Sequence, residues 1–144
     1  MKVSVKKIFI TLTGVFGSVV VHLFGEWDAA LQTLILFMAI DWITGGIILP
    51  VVFKKSPKSE NGALESRAGW KGLCRKGMTL LFVLIATQLD LLAGTSYLRE
   101  AVCIAFITNE ALSIVENAGL MGVPLPEVLK KAIDILQKTS ADAI

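Results

Sequence analysis

Three acidic residues stand inside long apolar stretches of this 144-residue chain: Asp41, Asp90 and Glu110. A carboxylate near the middle of a membrane-crossing helix costs at least about 2.5 kcal/mol to insert. Each of these acids must therefore be paired, be neutralised by protonation, or face water inside an assembly. The alternative to a functional role is that they only form hydrogen bonds that hold neighbouring helices together.

Patterns typical of catalytic or metal sites do not accompany these acids. The chain has no Ser/His/Asp set, no Gly-rich phosphate loop and no metal-ligand spacing. Its single histidine, His22, has no ligand partner at a suitable spacing, and Cys74 and Cys103 do not form a CxxC motif. We predict that the protein is not an enzyme, that it has no cofactor or metal, and that both thiols are reduced.

The composition indicates a membrane protein. Hydrophobic residues make up 54% of the chain and the mean hydropathy is +0.70, whereas a soluble domain is about 45–50% apolar on a wider residue set. The apolar residues are clustered, and about 20 of them suffice to cross a bilayer. We predict an all-α, oligomeric integral membrane protein with about four transmembrane helices, at residues 8–24, 29–53, 78–96 and 98–115. The alternative is three spans, with residues 98–117 lying in the interface or re-entering.

The last segment predicts a helix of a different kind. Its apolar residues recur at the i, i+3, i+4, i+7 spacing of an amphipathic helix, and its charged residues occupy the other face. It is too short and too charged to span a bilayer, so we expect it on the membrane surface or packed on a partner. This divides the chain into a transmembrane domain, 1–123, and an amphipathic C-terminal helix with its tail, 124–144.

Basic residues predict the orientation, because cytoplasmic loops carry an excess of Lys and Arg. The N-terminal residues, the loop 54–77 and the C-terminal helix are rich in lysine or arginine, whereas the turns 25–28 and 94–97 have neither. We therefore place both termini and the loop in the cytoplasm. Within the loop, a short basic helix is expected against anionic lipid, which explains its charge without nucleic acid. Its membrane-surface residues are Arg67, Lys71, Arg75 and Lys76.

The rise of about 1.5 Å per helical residue predicts the depth of the acids. On that rise, Asp41 lies about 18 Å from the outer end of its span, and Glu110 about 18–20 Å from the outer end of the fourth. These two carboxylates are therefore expected at one level in the membrane. Asp90 is nearer the outer end, and Arg99 follows just after the tight turn. We expect Asp90 and Arg99 to form an intramembrane ion pair.

Residues 41–45, 66–76 and 109–131 contain three motifs, which resemble those of the phage holin family that includes the clostridial toxin-secretion holins. Asp41-Trp-Ile-Thr-Gly45 looks like that family's D-[YW]-[IV]-T-G motif. The stretch from Ser66 to Lys76 is similar to its S-x-x-G-x-x-G-x-x-[RK]-K loop. The strongest match runs from Asn109 to Pro126 and is followed by Leu129-Lys-Lys131. The resemblance covers roughly residues 30–135.

The resemblance implies a holin, a protein without catalysis of its own that accumulates in the cytoplasmic membrane of a bacterial host. Such proteins form homo-oligomers and open pores or lesions that release an endolysin, or in some systems a toxin, so that the host cell lyses. An antiholin is a further possible partner. The resemblance and the acids together point to these pore or oligomer-contact candidates: Asp41, Thr44, Gly45, Asp90, Arg99, Asn109, Glu110, Ser113, Glu116 and Asn117.

Two other functions use the same residues. A small ion or proton channel, or a transporter subunit, would use the intramembrane carboxylates for a narrow, selective conductance. A membrane scaffold would use them for helix contacts alone and would neither conduct nor kill.

The charges inside the apolar stretches predict that a change in membrane potential triggers lysis. One charge moved through 100 mV is worth about 2.3 kcal/mol, and an assembly multiplies that value. Replacing Asp41 or Glu110 with alanine is therefore expected to change the time at which a culture lyses after induction. The measurement is culture turbidity against time at matched expression, and unchanged timing for both variants would contradict the idea.

Overall fold

The computed structural model describes residues 4–55 and 66–142, and in this part of the chain every regular element is a helix. The prediction of an all-α fold is confirmed. Residues 56–65, within the predicted basic loop, lie outside the described part. The helices are α1 Val5–Phe24, α2 Ala29–Ile43 with a π-helical continuation Thr44–Phe53, α3 Ser66–Ala93, α4 Tyr97–Leu120 and α5 Glu127–Asp142.

Three helical segments of the described chain are long and apolar enough to cross a membrane: Val5–Phe24, Ala29–Phe53 and Arg67–Ala93. The helix α4 has sufficient length, at 24 residues, but it carries charged side chains such as Glu110 and Glu116 along its length. Length and composition thus give three candidate spans, and the predicted fourth is not among them. The charged side chains of α4 are the physical reason.

The third span begins earlier than the sequence predicts. The sequence pattern predicts a basic loop up to residue 77 and a span that starts at Met78, whereas α3 is one continuous helix of 28 residues. Gly72 and Gly77 lie within it, and a glycine inside a helix costs only about 1 kcal/mol, which packing of the helix can offset. As a result the last basic residue of the predicted loop, Lys76, enters the helical bundle.

A tight turn joins α3 to α4 as an antiparallel hairpin. Gly94 has a φ of 66°, a conformation that glycine adopts without steric cost. The carboxylate of Asp90 accepts hydrogen bonds from the backbone N–H groups of Leu98 and Arg99, at 3.2 and 2.8 Å, and from the Thr95 hydroxyl. A negative group at a helix N-terminus satisfies free N–H donors and complements the helix dipole. Asp90 therefore stabilises the start of α4.

The helix α4 is the centre of the bundle. Its buried residues Cys103 and Ile107 pack with side chains of α2 and α3 in one apolar core, which also contains Leu31, Leu34, Met38 and Val83. The helix α5 runs back along α4, where Ile133 is buried and the Thr108 hydroxyl donates to the Leu136 carbonyl at 3.4 Å. By contrast, α1 has no buried residue.

The π-helical segment brings the backbone of Gly45 against α4. A Cβ at this position would lie 2.9 Å from the side-chain nitrogen of Asn117, a residue that is only 2% exposed. The next residue, Gly46, has more room, because a Cβ there would lie 3.7 Å from Trp42. The segment ends at Phe53, and the ammonium group of Lys55 reaches the Leu120 carbonyl at the end of α4, at 3.2 Å.

Replacing Gly45 with alanine is expected to destabilise the protein by about 1–3 kcal/mol, because the added methyl group forces the buried Asn117 side chain to move. The matched control is Gly46→Ala, which adds the same methyl group to the same segment in ordinary van der Waals contact. Thermal unfolding of the detergent-solubilised proteins, followed by tryptophan fluorescence, measures the difference. Equal melting temperatures for the two variants would contradict the close approach.

Candidate functional site

A lysine and two carboxylates from three different helices meet inside the bundle. The ammonium group of Lys76, on α3, lies 2.9 Å from Asp41 Oδ2 on α2 and 2.5 Å from Glu110 Oε2 on α4. The exposed fractions are 3% for Asp41, 8% for Lys76 and 6% for Glu110. We call these residues the acid–lysine triad. It links the three helices through charge-assisted hydrogen bonds, which are stronger than neutral ones.

Asn117 extends the triad towards the π-helical segment. Its side-chain amide donates to Asp41 Oδ1 at 3.0 Å and to the Thr44 hydroxyl at 2.9 Å. The hydroxyl of Thr44 in turn donates to the Ile40 carbonyl at 2.7 Å. Because Gly45 has no side chain, Asn117 can approach the backbone here. The structure thus brings five of the predicted site residues together: Asp41, Thr44, Gly45, Glu110 and Asn117.

The triad lies near the middle of the bundle. Asp41 follows Asp28 by thirteen residues and Glu110 follows Arg99 by eleven, which correspond to about 20 Å and about 17 Å of helix. Lys76 precedes Asp90 by fourteen residues, or about 21 Å. Asp28, Asp90 and Arg99 all lie at the same end of the bundle, so the three counts agree. In the structure, Asp41 and Glu110 therefore lie at the same depth, as the sequence predicts.

Electrostatics explains why the three charges occur together. The formal charges of two carboxylates and one ammonium leave a net charge of −1. A paired charge inside an apolar bundle is tolerated, whereas removing one partner of a buried pair costs about 3–5 kcal/mol because the other charge is left uncompensated. The triad therefore makes the packing of α2, α3 and α4 depend on all three side chains.

A second polar cluster lies at the end of the bundle where α3 turns into α4. The guanidinium group of Arg99 lies 2.6 Å from Asp28 Oδ2, and it donates to the carbonyls of Phe24 and Glu26, at 2.8 Å each. The hydrogen bond from Arg99 is the main cause that lowers the pKa of Asp28, so this carboxyl group is ionised at neutral pH. Arg99 thereby attaches the α1–α2 connection to α4.

The predicted ion pair between Asp90 and Arg99 is corrected by this geometry. Arg99 does contact Asp90, but through its backbone N–H, while its guanidinium group turns to Asp28. The reason is that the carboxylate of Asp90 is already occupied by the first N–H groups of α4 and by Thr95. The cation instead satisfies the Phe24 carbonyl at the end of α1, which has no partner within its own helix, and the Glu26 carbonyl in the connection that follows.

The other predicted residues lie apart from the triad. Asn109 and Glu116 are exposed and Ser113 is half-buried, all on α4. Of the four basic residues placed on the membrane surface, Arg67, Lys71 and Arg75 are exposed. The prediction that Lys76 lies on the membrane surface is wrong, because Lys76 is buried. The continuous helix α3 places it at the level of the two acids.

Sequence reasoning missed the cation of the triad and the role of Asp28. The residue count held a signal for Lys76: on an unbroken helix it lies fourteen residues from Asp90, close to the thirteen that separate Asp41 from Asp28. No group of three His, Cys, Asp or Glu residues among positions 4–55 and 66–142 is suited to hold a metal ion. Cys74 and Cys103 are both free thiols.

Replacing Lys76 with methionine is expected to lower the free energy of unfolding by about 3–5 kcal/mol, because two neighbouring buried carboxylates lose their shared cation. The matched control is Lys71→Met, at an exposed position of the same helix, where a change within about 0.5 kcal/mol is expected. Stability is measured by thermal unfolding in detergent. The triple variant Asp41→Asn/Lys76→Met/Glu110→Gln, which carries none of the three charges, should recover most of the loss, and an undiminished loss would contradict the charge argument.

Comparison with known proteins identifies relatives along most of the chain. The model of the bacteriophage holin family matches residues 18–138. The chain is 33% identical over 127 residues to a protein named "Probable holin" from Bacillus phage phi105, which covers 84% of this chain and 87% of that protein. It is 38% identical over 128 residues to an uncharacterised protein of Listeria innocua, covering 88% and 85% of the two chains. It is 39% identical over 119 residues to an uncharacterised 14.9 kDa protein of Clostridium perfringens, covering 81% and 83%.

No solved structure matches the chain. The triad, Asn117 and the Arg99 cluster all fall within the residues that the family model matches. The resemblance found in the sequence is therefore confirmed, and so is the prediction that the protein is not an enzyme, since this is a family of non-enzymatic membrane proteins. On the match over residues 18–138, the chain belongs to the bacteriophage holin family.

Proposed function

We propose that this protein acts as a holin: copies of the chain assemble in the cytoplasmic membrane of a bacterial host and open lesions that release an endolysin. The observation that carries the proposal is the family match over residues 18–138, which spans both polar clusters. A secreted toxin is the alternative cargo, and an antiholin is a possible restraint.

The surface of the bundle supports a lipid environment for three of its helices. The helix α1 has no buried residue and exposes large apolar side chains along its whole length, such as Phe9 and Phe16, which are 70% and 71% exposed. The helices α2 and α3 also expose apolar side chains, such as Leu36 and Phe82. A surface of this extent is rare on a soluble monomer, and it suits the hydrocarbon of a bilayer.

Four membrane passes follow if α4 crosses beside α2 and α3. Protein covers much of α4, because α2 and α3 lie on one side and α5 on another. Its charged side chains therefore need not meet lipid: Arg99 and Glu110 are paired with residues of other helices. With four passes, the N-terminus, the basic segment between α2 and α3 and the start of α5 lie at the cytoplasmic side, in agreement with the Lys and Arg distribution.

Assembly gives the remaining polar groups of α4 a suitable environment. Asn109 and Glu116 are exposed on the monomer, and polar side chains at membrane depth require water or a polar partner. Several copies, arranged with these surfaces turned inward, would supply both. We therefore propose a homo-oligomer with a water-filled interior.

The triad offers a physical basis for a trigger. Its three formal charges leave −1 at mid-depth, so the membrane potential acts on the packing of α2, α3 and α4. One charge moved across 100 mV is worth about 2.3 kcal/mol, and the copies in an assembly add their contributions. Loss of the potential would then release a packing change in all copies within a short time.

The decisive experiment expresses the chain in bacteria with and without a muralytic enzyme confined to the cytoplasm. A holin kills the cells in both cultures but lyses them only when the enzyme is present. Viable counts, turbidity and release of the enzyme into the medium are the measurements. A narrow ion or proton channel would depolarise the cells without releasing the enzyme, and a scaffold would do neither, so either result would overturn the proposal.

A further inference from the structure

The C-terminal helix does not lie at the end of the bundle but alongside its middle. The contact between Thr108 and the Leu136 carbonyl fixes the level, since Thr108 follows Arg99 by nine residues, or about 14 Å of helix. Lys138 then lies about 11 Å, and Lys131 about 22 Å, from the level of Arg99. Both lysines therefore fall within the depth of a hydrocarbon core of about 30 Å.

The outer face of α5 carries three charged side chains at this depth, beside the exposed Ile135. Lys131, Asp134 and Lys138 are all exposed and lie on one side of the helix, opposite the buried Ile133. Lipid does not accept a row of such side chains at mid-depth. The helix begins at Glu127, next to the end of α4, so these side chains are too deep for all of them to extend to the membrane surface. Water must therefore reach this face of α5.

The surface of α4 agrees with that conclusion. The large apolar side chains that are exposed on α4 are only Tyr97 and Leu120, at its two ends. Between them the exposed side chains include the polar Asn109 and Glu116. The bundle thus has an apolar side formed by α1, α2 and α3 and a more polar side formed by α4 and α5, although α5 also exposes Val128, Leu129 and Ile135.

We infer that the charged face of α5 lines the aqueous lumen of the assembled lesion. This inference rests on the proposed holin function and adds the element that forms the lumen wall. The helix is held against α4 by its apolar side and presents Lys131, Asp134 and Lys138 to the water. A single copy cannot enclose a lumen, so the wall is formed by α5 from several copies of this chain.

Conductance of the purified full-length protein in planar lipid bilayers tests the inference. In a KCl gradient between about 0.1 and 0.01 M, where charges act over about 10–30 Å, rings of wall charges set ion selectivity. The double variant Lys131→Glu/Lys138→Glu should raise the K⁺/Cl⁻ permeability ratio by at least about twofold. The variant Asp134→Lys should lower it, and Lys7→Glu, at the N-terminal end of α1, should leave it at the wild-type value.

Two negative results have different meanings. If the wild-type protein conducts and the α5 variants conduct with unchanged selectivity, the inference is overturned while the proposed function stands, and α5 lies on the membrane surface. If the wild-type protein neither conducts nor kills cells, the proposed function and the inference fail together.

A distance measurement tests the position of α5 without requiring conductance. Spin labels are placed on cysteines at positions 100 and 138, with Cys74 and Cys103 replaced by alanine, and the protein is reconstituted in lipid. The two positions are about 10 Å apart along the bundle axis, so a label distance below about 25 Å is expected. Labels at 100 and 128 are the matched control, about 25 Å apart along the axis. A distance beyond about 30 Å for the 100/138 pair, as for a helix moved to the inner membrane surface, would overturn the inference.

Discussion

The pairing of Lys76 with Asp41 and Glu110 is the constraint on which the rest of the bundle depends. Each group alone would be costly inside an apolar structure, and together they leave one net charge. The three come from three helices, so forming the pairs sets the depth of α2, α3 and α4 relative to one another. Hydrophobic contacts alone allow helices to slide, whereas a charge shared by two acids specifies one register.

The π-helical segment next to the triad allows Asn117 to approach the backbone and form its hydrogen bonds. The helix α2 continues at Thr44 into a π-helical segment, which contains Pro50 and ends at Phe53. Such wide turns are frequent at functional sites. Here the first two residues of the segment provide the Thr44 hydroxyl that contacts Asn117 and the Gly45 backbone that makes room for it. Asn117 and Lys76 together supply donors to the carboxylate of Asp41.

The distribution of polar and apolar surface follows from what each helix touches. The helix α1, which has no buried residue, is apolar almost throughout. The helix α4 is surrounded mainly by protein and is therefore free to carry Glu110 and Asn117, which pair with other helices. Because protein rather than lipid contacts these side chains, their charge and polarity are compatible with the four membrane passes that we propose. The same reasoning applies to the charged face of α5, because charged groups at its depth require water or an opposite charge.

The sequence by itself determined the class of the protein, its helical elements, the family and the common depth of Asp41 and Glu110. Apolar length, helical rise and local motifs are properties of single segments, so they can be read along the chain. Only the tertiary structure decided which groups pair: Lys76 joins the two acids, Arg99 turns to Asp28, and α5 lies beside α4. These pairings depend on the rotation and relative position of helices distant in sequence, which are set by packing and by competition among partners for the same carboxylates. Asp90 illustrates this, because the start of α4 occupied its carboxylate and left the guanidinium group of Arg99 to Asp28.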